Sequence, residues 1–247
     1  MMIKQGLLVA ALAVASFSAL SDDHLAPEKT YGMAYLITAT NPAAVVGSMK
    51  QFMASPSGQN IPVSVALVQN ISNGDNMATH QINVVYPSLE VMEQSNAANA
   101  QSADWMRYMT TLRQSADNVS ENMFSMEMAK MNVDLAGQTG TVSMLTLMSV
   151  SDPATFTKAF QKLMASSSAG DFPGDIYFGR IIGAGENPAT HWINASARNM
   201  SDLMSGNEAL MQSKDMAAYL RAVSDARAVQ SVSIQRTALS FPAAGMN

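Results

Sequence analysis

The chain repeats itself at a constant offset. Residues 74–80, GDNMATH, align with residues 185–191, GENPATH, so the offset is 185 − 74 = 111 residues. At the same offset, the Asn-Pro pair at residues 41–42 aligns with the Asp-Pro pair at residues 152–153. One offset that holds across most of a domain indicates a duplicated unit. The fold must therefore be built from two copies of one unit, each of about a hundred residues, which is a common domain size.

Composition narrows the class of protein. Only 13% of the 247 residues are charged and the net charge is −5, which argues against a nucleic-acid partner because phosphates require a basic face. A hydrophobic content of 48% is enough for packed cores and excludes a disordered chain. The chain has no cysteine, which excludes thiol nucleophiles, iron–sulfur clusters and cysteine-based zinc sites.

The N-terminus has the pattern of an export signal. Lys4 precedes an apolar run at residues 7–15, which is too short to cross a bilayer, and small residues follow. We predict a signal peptide at residues 1–21, with cleavage after Ser21 or alternatively after Ala15, and a linker at residues 22–30. The mature protein is then exported, to the periplasm or the medium, and has no stable membrane span. An uncleaved anchor is the alternative.

Each repeat is predicted to contain the order strand, helix, strand, strand, helix, strand. Asn41 and Asp152 stand at helix N-cap positions with Pro42 and Pro153 in the first turn. Apolar residues then recur at helical spacing, and a Gly-containing turn separates the two middle strands. Repeat 1 is assigned to residues 31–135 and repeat 2 to residues 136–247. The strands are predicted at residues 32–39, 61–68, 78–86 and 122–131, and in repeat 2 at 143–150, 172–179, 189–197 and 229–239.

The order βαββαβ is that of a ferredoxin-like unit. The first strand is apolar on both faces, so both faces of its sheet should be buried. We therefore predict an α+β fold in which two fused ferredoxin-like units pack sheet to sheet as a pseudo-dimeric α/β barrel with the helices outside. This pattern resembles the dimeric α/β-barrel superfamily, which includes antibiotic-biosynthesis-type monooxygenases, stress-response barrel proteins and haem-handling chlorite dismutases. The resemblance lies in element order and repeat geometry, and no catalytic motif accompanies it.

The histidines at the repeat offset are the first candidate for catalysis. His80 and His191 both begin the third strand of their repeat, and histidine can act as a base, a metal ligand or a haem ligand. Strand alternation places them with Ile82 and Ile193, on the face that we expect the helices to cover. The alternative is structural, with each ring joining its hairpin to a helix through a hydrogen bond.

The opposite face of the same strands predicts a ligand pocket. Asn83 and Asn194 are equivalent, and Gln81 and Trp192 share that face, so this polar surface should line the space between the sheets. We expect Tyr35 to reach the same space. The alternative is that the two asparagines complete hydrogen bonds between the sheets.

Methionine and the remaining histidine raise the question of a metal. The chain has 21 methionines, but several, such as Met49, Met109 and Met123, align with Phe, Leu or Ile in the other repeat, which indicates core packing rather than copper ligation. If cleavage follows Ser21, the mature chain begins Asp22-Asp23-His24, and His24 with the free amine and two backbone amides can form a square-planar Cu(II) or Ni(II) site.

These observations predict an exported protein that binds a small apolar molecule in an inter-sheet cavity. The resemblance to the dimeric α/β-barrel superfamily implies in addition oxygenase-like chemistry that needs no cofactor. One alternative is a haem or metal protein that uses the duplicated histidines. The other is a non-catalytic structural or interaction protein. The sequence identifies no cofactor, no substrate and no oligomeric state.

Overall fold

The structure is a computed structural model that describes residues 29–243. Repeat 1 contains β1 (Thr30–Ala39), α1 (Pro42–Met53), α2 (Pro56–Gln59), β2 (Ser64–Ser72), β3 (His80–Tyr86), α3 (Leu89–Ala100), α4 (Ala103–Ser115) and β4 (Ala116–Met131). Repeat 2 contains β5 (Val142–Val150), α5 (Pro153–Met164), α6 (Ser167–Gly170), β6 (Gly174–Gly183), β7 (His191–Ala197), α7 (Met200–Met211), α8 (Lys214–Ala222) and β8 (Arg227–Phe241).

The eight strands close into one antiparallel barrel in the order β1-β3-β2-β8-β5-β7-β6-β4. Within each repeat the order is that of a ferredoxin-like sheet, β4-β1-β3-β2 and β8-β5-β7-β6. The two sheets join through the pairs β2–β8 and β4–β6. The predicted α+β class and the fused, sheet-to-sheet arrangement are therefore confirmed.

The equivalent helices α1 and α5 begin as the sequence predicts. The side chain of Asn41 accepts a hydrogen bond from the N–H of Ala44, and Asp152 accepts one from the N–H of Thr155. Each cap pairs an otherwise unbonded donor of the first turn. Because the strand before it ends only three residues earlier, each helix is fixed against the end of β1 or β5.

The observed strand bounds differ from the predicted ones in every pair, and the second and closing strands show why. The second strands begin at Ser64 and Gly174, later than predicted, because the short helices α2 and α6 and the turns that follow them occupy the preceding chain. The closing strands begin earlier, at Ala116 and Arg227, where their first residues pair with the ends of β1 and β5. Those first residues are mostly polar, so an apolar pattern could not reveal them.

A buried carboxylate holds the segment that joins the two repeats. Asp175 of β6 is fully buried, and its oxygens accept hydrogen bonds from the backbone N–H groups of Val133, Asp134 and Leu135 at 2.6–3.2 Å. The predicted boundary after residue 135 falls in this segment. The segment between the two repeats is therefore held against repeat 2 by specific hydrogen bonds.

The predicted signal peptide at residues 1–21, His24 and most of the predicted linker at residues 22–30 lie outside the described residues, whereas Thr30 is the first residue of β1. None of the described helices is long and apolar enough to cross a membrane.

Candidate functional site

A cavity of about 280 Å³ lies between the two sheets, inside the barrel. Side chains alternate along a strand, so Gln81 and Asn83 of β3 face this inter-sheet cavity, as do Trp192 and Asn194 of β7. The structure thus brings together four of the five residues that the sequence predicts to bind a ligand. Their binding role stays a prediction.

The amide groups of the inter-sheet cavity form a connected chain. The Nε2 of Gln235 donates to the Oδ1 of Asn70 at 3.0 Å and lies 3.5 Å from the Oε1 of Gln81. The Nε2 of Gln81 in turn donates to the Oδ1 of Asn83 at 2.6 Å. Gln81 and Gln235 are both buried. This chain fixes the orientation of the amides and leaves a hydrogen-bonding surface on the cavity wall.

Aromatic rings form another part of the same wall. Phe124 of β4 and Trp192 meet edge to face, with ring centroids 5.6 Å apart and planes 83° apart. Trp192 lies over Gly179 of β6, where a Cβ atom would stand only 2.6 Å from the indole ring. Glycine at residue 179 is therefore what lets the indole lie against the sheet.

Three residues that line the inter-sheet cavity carry a buried polar atom without a hydrogen-bond partner among residues 29–243. The atoms are the Nε1 of Trp192, the Oδ1 of Asn194 and the Oδ1 of Asn122. An unpaired buried polar group costs about 1–3 kcal/mol. One donor and two acceptors in this state are a set that a bound molecule can satisfy.

The lining of the inter-sheet cavity contains no charged side chain within the described part of the chain. Its one phenol, Tyr177, donates to the Oδ2 of Asp175 at 3.2 Å. Burial, together with the nearby charge of Asp175, raises the pKa of Tyr177 well above its ordinary value. The wall is therefore neutral at physiological pH.

Tyr35 does not reach the inter-sheet cavity, which corrects the prediction. On β1, Ala34 and Leu36 face the cavity, so the residue between them must face the helices. Tyr35 instead lines a second cavity, which lies between the sheet of repeat 1 and the helices α1, α3 and α4.

This helix-side pocket has a volume of about 460 Å³. Tyr35, Tyr86, Tyr108 and Trp105 form much of its wall. Burial, followed by the charge of Glu121, raises the pKa of Tyr35, and burial raises the pKa of Tyr86 to about 12. Burial likewise raises the pKa of Tyr108. All three phenols are thus protonated at neutral pH and can donate hydrogen bonds.

The equivalent space in repeat 2 is filled. Phe156, Phe160 and Phe178 are 0–2% exposed, and their ring centroids lie 5.0–6.2 Å apart. At the 111-residue offset, their counterparts in repeat 1 are Val45, Met49 and Leu67. Three smaller aliphatic side chains therefore stand where the other copy has three rings. Of these, Met49 lines the open pocket of repeat 1, whereas Val45 and Leu67 are buried and are not part of its lining.

The duplicated histidines lie on the helix-covered faces of β3 and β7. His191 is buried and stacks on Phe178, with centroids 5.7 Å apart and planes within 8°. Its Nδ1 lies 2.8 Å from the Oγ1 of Thr190, and that oxygen accepts the N–H of Val150. The direction of the bond between Thr190 and His191 depends on the tautomer of the imidazole, because a hydroxyl can both donate and accept.

His80 has the equivalent geometry with less burial. Its Nδ1 lies 2.9 Å from the Oγ1 of Thr79, which accepts the N–H of Ala39. The bond of each ring is thus to the preceding threonine, which ties the hairpin to the first strand, and the expected bond to a helix is wrong. Burial lowers the pKa of both histidines, and the charge of Arg180 contributes at His191. Their catalytic role stays a prediction.

The surroundings of these histidines do not fit a haem. A haem bound through His191 would need open space beside the imidazole. Phe156 and Phe178 fill that space. His80 is not part of the lining of the helix-side pocket. Among residues 29–243, no three His, Cys, Asp or Glu side chains converge to hold a metal ion.

Comparisons with known proteins establish the fold. No protein-family model and no curated protein sequence matches the chain. A solved structure of a candidate monooxygenase from Lactobacillus acidophilus NCFM matches with a TM-score of 0.55 and 12% identity, over 87% of this chain and 99% of that one. An anthrone oxidase-like protein matches with a TM-score of 0.54 and 11% identity, over 89% and 98%.

A mutant chlorite dismutase from Candidatus Nitrospira defluvii matches with a TM-score of 0.50 and 11% identity, over 85% of this chain and 90% of that one. Identities this low establish the fold and not the activity. In the described residues, the two repeats of one chain form the kind of α/β barrel that the name dimeric α/β barrel describes, as the resemblance predicts.

Several residues that line the two cavities were not predicted from the sequence. Phe124 and Gln235 stand 111 residues apart on the closing strands, and the offset alone would have paired them. Tyr86 and Trp105 have no aromatic counterpart in repeat 2, and such a mismatch between copies is a usable signal. The helix-side pocket as a whole was missed because no pattern shows where an expected core is left open.

Proposed function

We propose that this chain binds a small, mainly apolar molecule in the inter-sheet cavity. The observation that carries the proposal is the set of three buried polar atoms without partners, on Trp192, Asn194 and Asn122, around one cavity with a neutral wall. Ligand pockets typically combine an apolar lining with a few placed polar groups. The similarity in fold to a candidate monooxygenase supports the binding of a small molecule.

A pair of adjacent valines makes the test specific to one cavity. Val85 of β3 lines the inter-sheet cavity, and its neighbour Val84 lines the helix-side pocket. Val85→Phe should reduce occupancy of the inter-sheet cavity and Val84→Phe should leave it unchanged. The measurement is native mass spectrometry of the protein purified from its own source, followed by thermal unfolding with and without the co-purified molecule, since a ligand that binds only the native state raises stability.

Loss of the ligand in Val84→Phe and not in Val85→Phe would move the site to the helix-side pocket. Absence of any bound molecule, together with no stabilisation by added small molecules, would instead favour a non-catalytic structural or interaction protein with a packed barrel.

A second candidate function is an enzyme with oxygenase-type chemistry, without a bound cofactor, in the helix-side pocket of repeat 1. The observation that favours it is the difference between copies, since this space holds three protonated phenols in repeat 1, whereas in repeat 2 the equivalent of Tyr108, Tyr219, packs against phenylalanines. Phenol donors in a desolvated pocket can stabilise a developing oxyanion on a substrate. The similarity in fold to an anthrone oxidase-like protein supports this class of reaction.

Oxygen consumption with anthrone as the trial substrate tests the second candidate. Tyr108→Phe should lower the rate at least tenfold, because removing one oxyanion donor costs about a hundredfold or more in known cases. Tyr219→Phe is the matched control, since Tyr219 occupies the equivalent position in the filled repeat. Equal effects of the two substitutions would contradict a site in repeat 1.

We also propose that the protein is exported, to the periplasm or the medium. The apolar run at residues 7–15 and the small residues after it support cleavage after Ser21. Intact-mass measurement of the exported protein tests this. A mature chain that begins at Asp22 would also permit the Cu(II) or Ni(II) site at His24, and any other first residue would exclude it.

A further inference from the structure

The two ends of the inter-sheet cavity are chemically different although the repeats are equivalent. At the 111-residue offset, Gln81 corresponds to Trp192, and Phe124 corresponds to Gln235. The Nε2 of Gln235 lies 3.5 Å from the Oε1 of Gln81, and the rings of Trp192 and Phe124 meet edge to face. The amide pair, Gln81 and Gln235, therefore occupies positions equivalent to those of the ring pair, Trp192 and Phe124.

This exchange removes the internal symmetry of the cavity. A symmetric wall would offer two equal subsites for two copies of a ligand. Here one subsite offers amide donors and acceptors, extended through Asn70 and Asn83. The other offers aromatic faces and an indole N–H that has no partner among the described residues.

Size and charge restrict the ligand further. An apolar protein cavity of about 150 Å³ holds one benzene molecule. A volume of about 280 Å³ therefore has room for one ring with a polar substituent, and not for two such molecules. The wall contains no charged side chain in the described residues, so an ionised ligand would lose its hydration without an opposite charge to replace it.

We infer that the inter-sheet cavity binds one molecule in one orientation, and that this molecule is uncharged, with an aromatic ring at the Trp192 and Phe124 end and an amide-like hydrogen-bonding group at the Gln81 and Gln235 end. This inference rests on the binding function proposed for the cavity and defines its ligand class. The three residues with unpartnered atoms, Asn122, Trp192 and Asn194, supply further contacts along the wall.

Benzamide is the probe that matches this description. Benzoate has nearly the same shape and carries a charge, toluene lacks the polar end, and acetamide lacks the ring. Ligand-observed NMR titration should give at least tenfold weaker binding for the three controls than for benzamide. Native mass spectrometry should show one benzamide per chain.

Variants that copy the other repeat test each end separately. Trp192→Gln replaces the indole by the residue found at the equivalent position 81 and should weaken benzamide at least tenfold. Gln235→Phe replaces the amide by the residue found at position 124 and should do the same, so either variant suffices if the other fails to fold. Val84→Phe, in the helix-side pocket, should leave the affinity unchanged.

Binding of benzoate as tight as that of benzamide would overturn the neutral ligand class. Two benzamides per chain, or full affinity in a folded Trp192→Gln protein, would overturn the single orientation. If none of the four probes binds, the ligand class inferred here is overturned, whereas the proposed binding function fails only if the protein from its own source also carries no molecule that Val85→Phe removes. The first two results would leave binding by the cavity intact, so the two failures can be told apart.

Discussion

Phe178→Leu tests the filled helix-side space of repeat 2 most directly. Phe178 is 1% exposed and packs against Phe156, Phe160 and His191. The equivalent residue of repeat 1 is Leu67, so the substitution installs a side chain that the fold already accepts at this position. The expected result is a clear loss of stability without a change of fold.

The loss in free energy of unfolding can be estimated from the carbon atoms that the substitution removes and from the cavity that remains. The change removes three buried carbons, which at about 0.8 kcal/mol each amounts to about 2.4 kcal/mol. A residual cavity of roughly 50 Å³ would add about 1.2 kcal/mol at ~24 cal/mol per Å³. We therefore expect the free energy of unfolding to fall by about 3–4 kcal/mol.

Urea unfolding followed by circular dichroism measures this loss, and Phe52→Leu is the matched control. Phe52 lines the open pocket of repeat 1, so part of its ring already borders empty space. Its replacement should cost at least about 1 kcal/mol less than that of Phe178, because less packing is lost. A cost for Phe178→Leu below about 1 kcal/mol, or equal costs for both variants, would refute the difference in packing between the repeats.

Three further results are expected. Because burial places the pKa of His191 below its ordinary 6.5, the unfolded chain takes up the proton first as the pH falls. The stability attributable to His191 should therefore be complete above about pH 7 and decline from there towards pH 5, and the decline should be smaller in His191→Gln, as urea unfolding at several pH values would show. Asp175→Ala removes the acceptor of three backbone N–H groups in the inter-repeat segment and should cost more than about 2 kcal/mol in the same assay, whereas a neutral effect would mean that the segment is held by other contacts. Asn41→Ala removes the N-cap of α1 and should cost about 1 kcal/mol, with Asn41→Ser close to wild type as the control.

Duplication made the fold predictable from one sequence. The equivalent pairs Asn41-Pro42 and Asp152-Pro153 fixed the starts of two helices, because a cap and an N1 proline act locally. The bounds of β4 and β8 were not predictable in the same way. Their first residues are held by pairing with a strand distant in sequence, and such pairing leaves no local pattern.

The candidate site was predictable only in part. Strand alternation correctly placed Gln81, Asn83, Trp192 and Asn194 on the inter-sheet wall, because period-two geometry decides the face once the register is known. The same rule excludes Tyr35 from that wall, since Ala34 and Leu36 occupy it. Strand alternation predicts which face a side chain lies on, but not whether the space on that face is filled. That depends on the sum of many side-chain volumes.

The positions of the tryptophans allow the two candidate sites to be compared in one experiment. The chain has two of them, and Trp105 lines the helix-side pocket while Trp192 lines the inter-sheet cavity. In Trp105→Phe the indole emission comes from the inter-sheet cavity alone, and in Trp192→Phe it comes from the helix-side pocket alone. A ligand of the inter-sheet cavity should change the emission of the first variant and not that of the second, and the reverse pattern would assign the ligand to repeat 1. Because the sheet of repeat 1 stands between the cavities, a change in both variants would mean that binding on one face of the sheet alters the other, which neither proposal predicts.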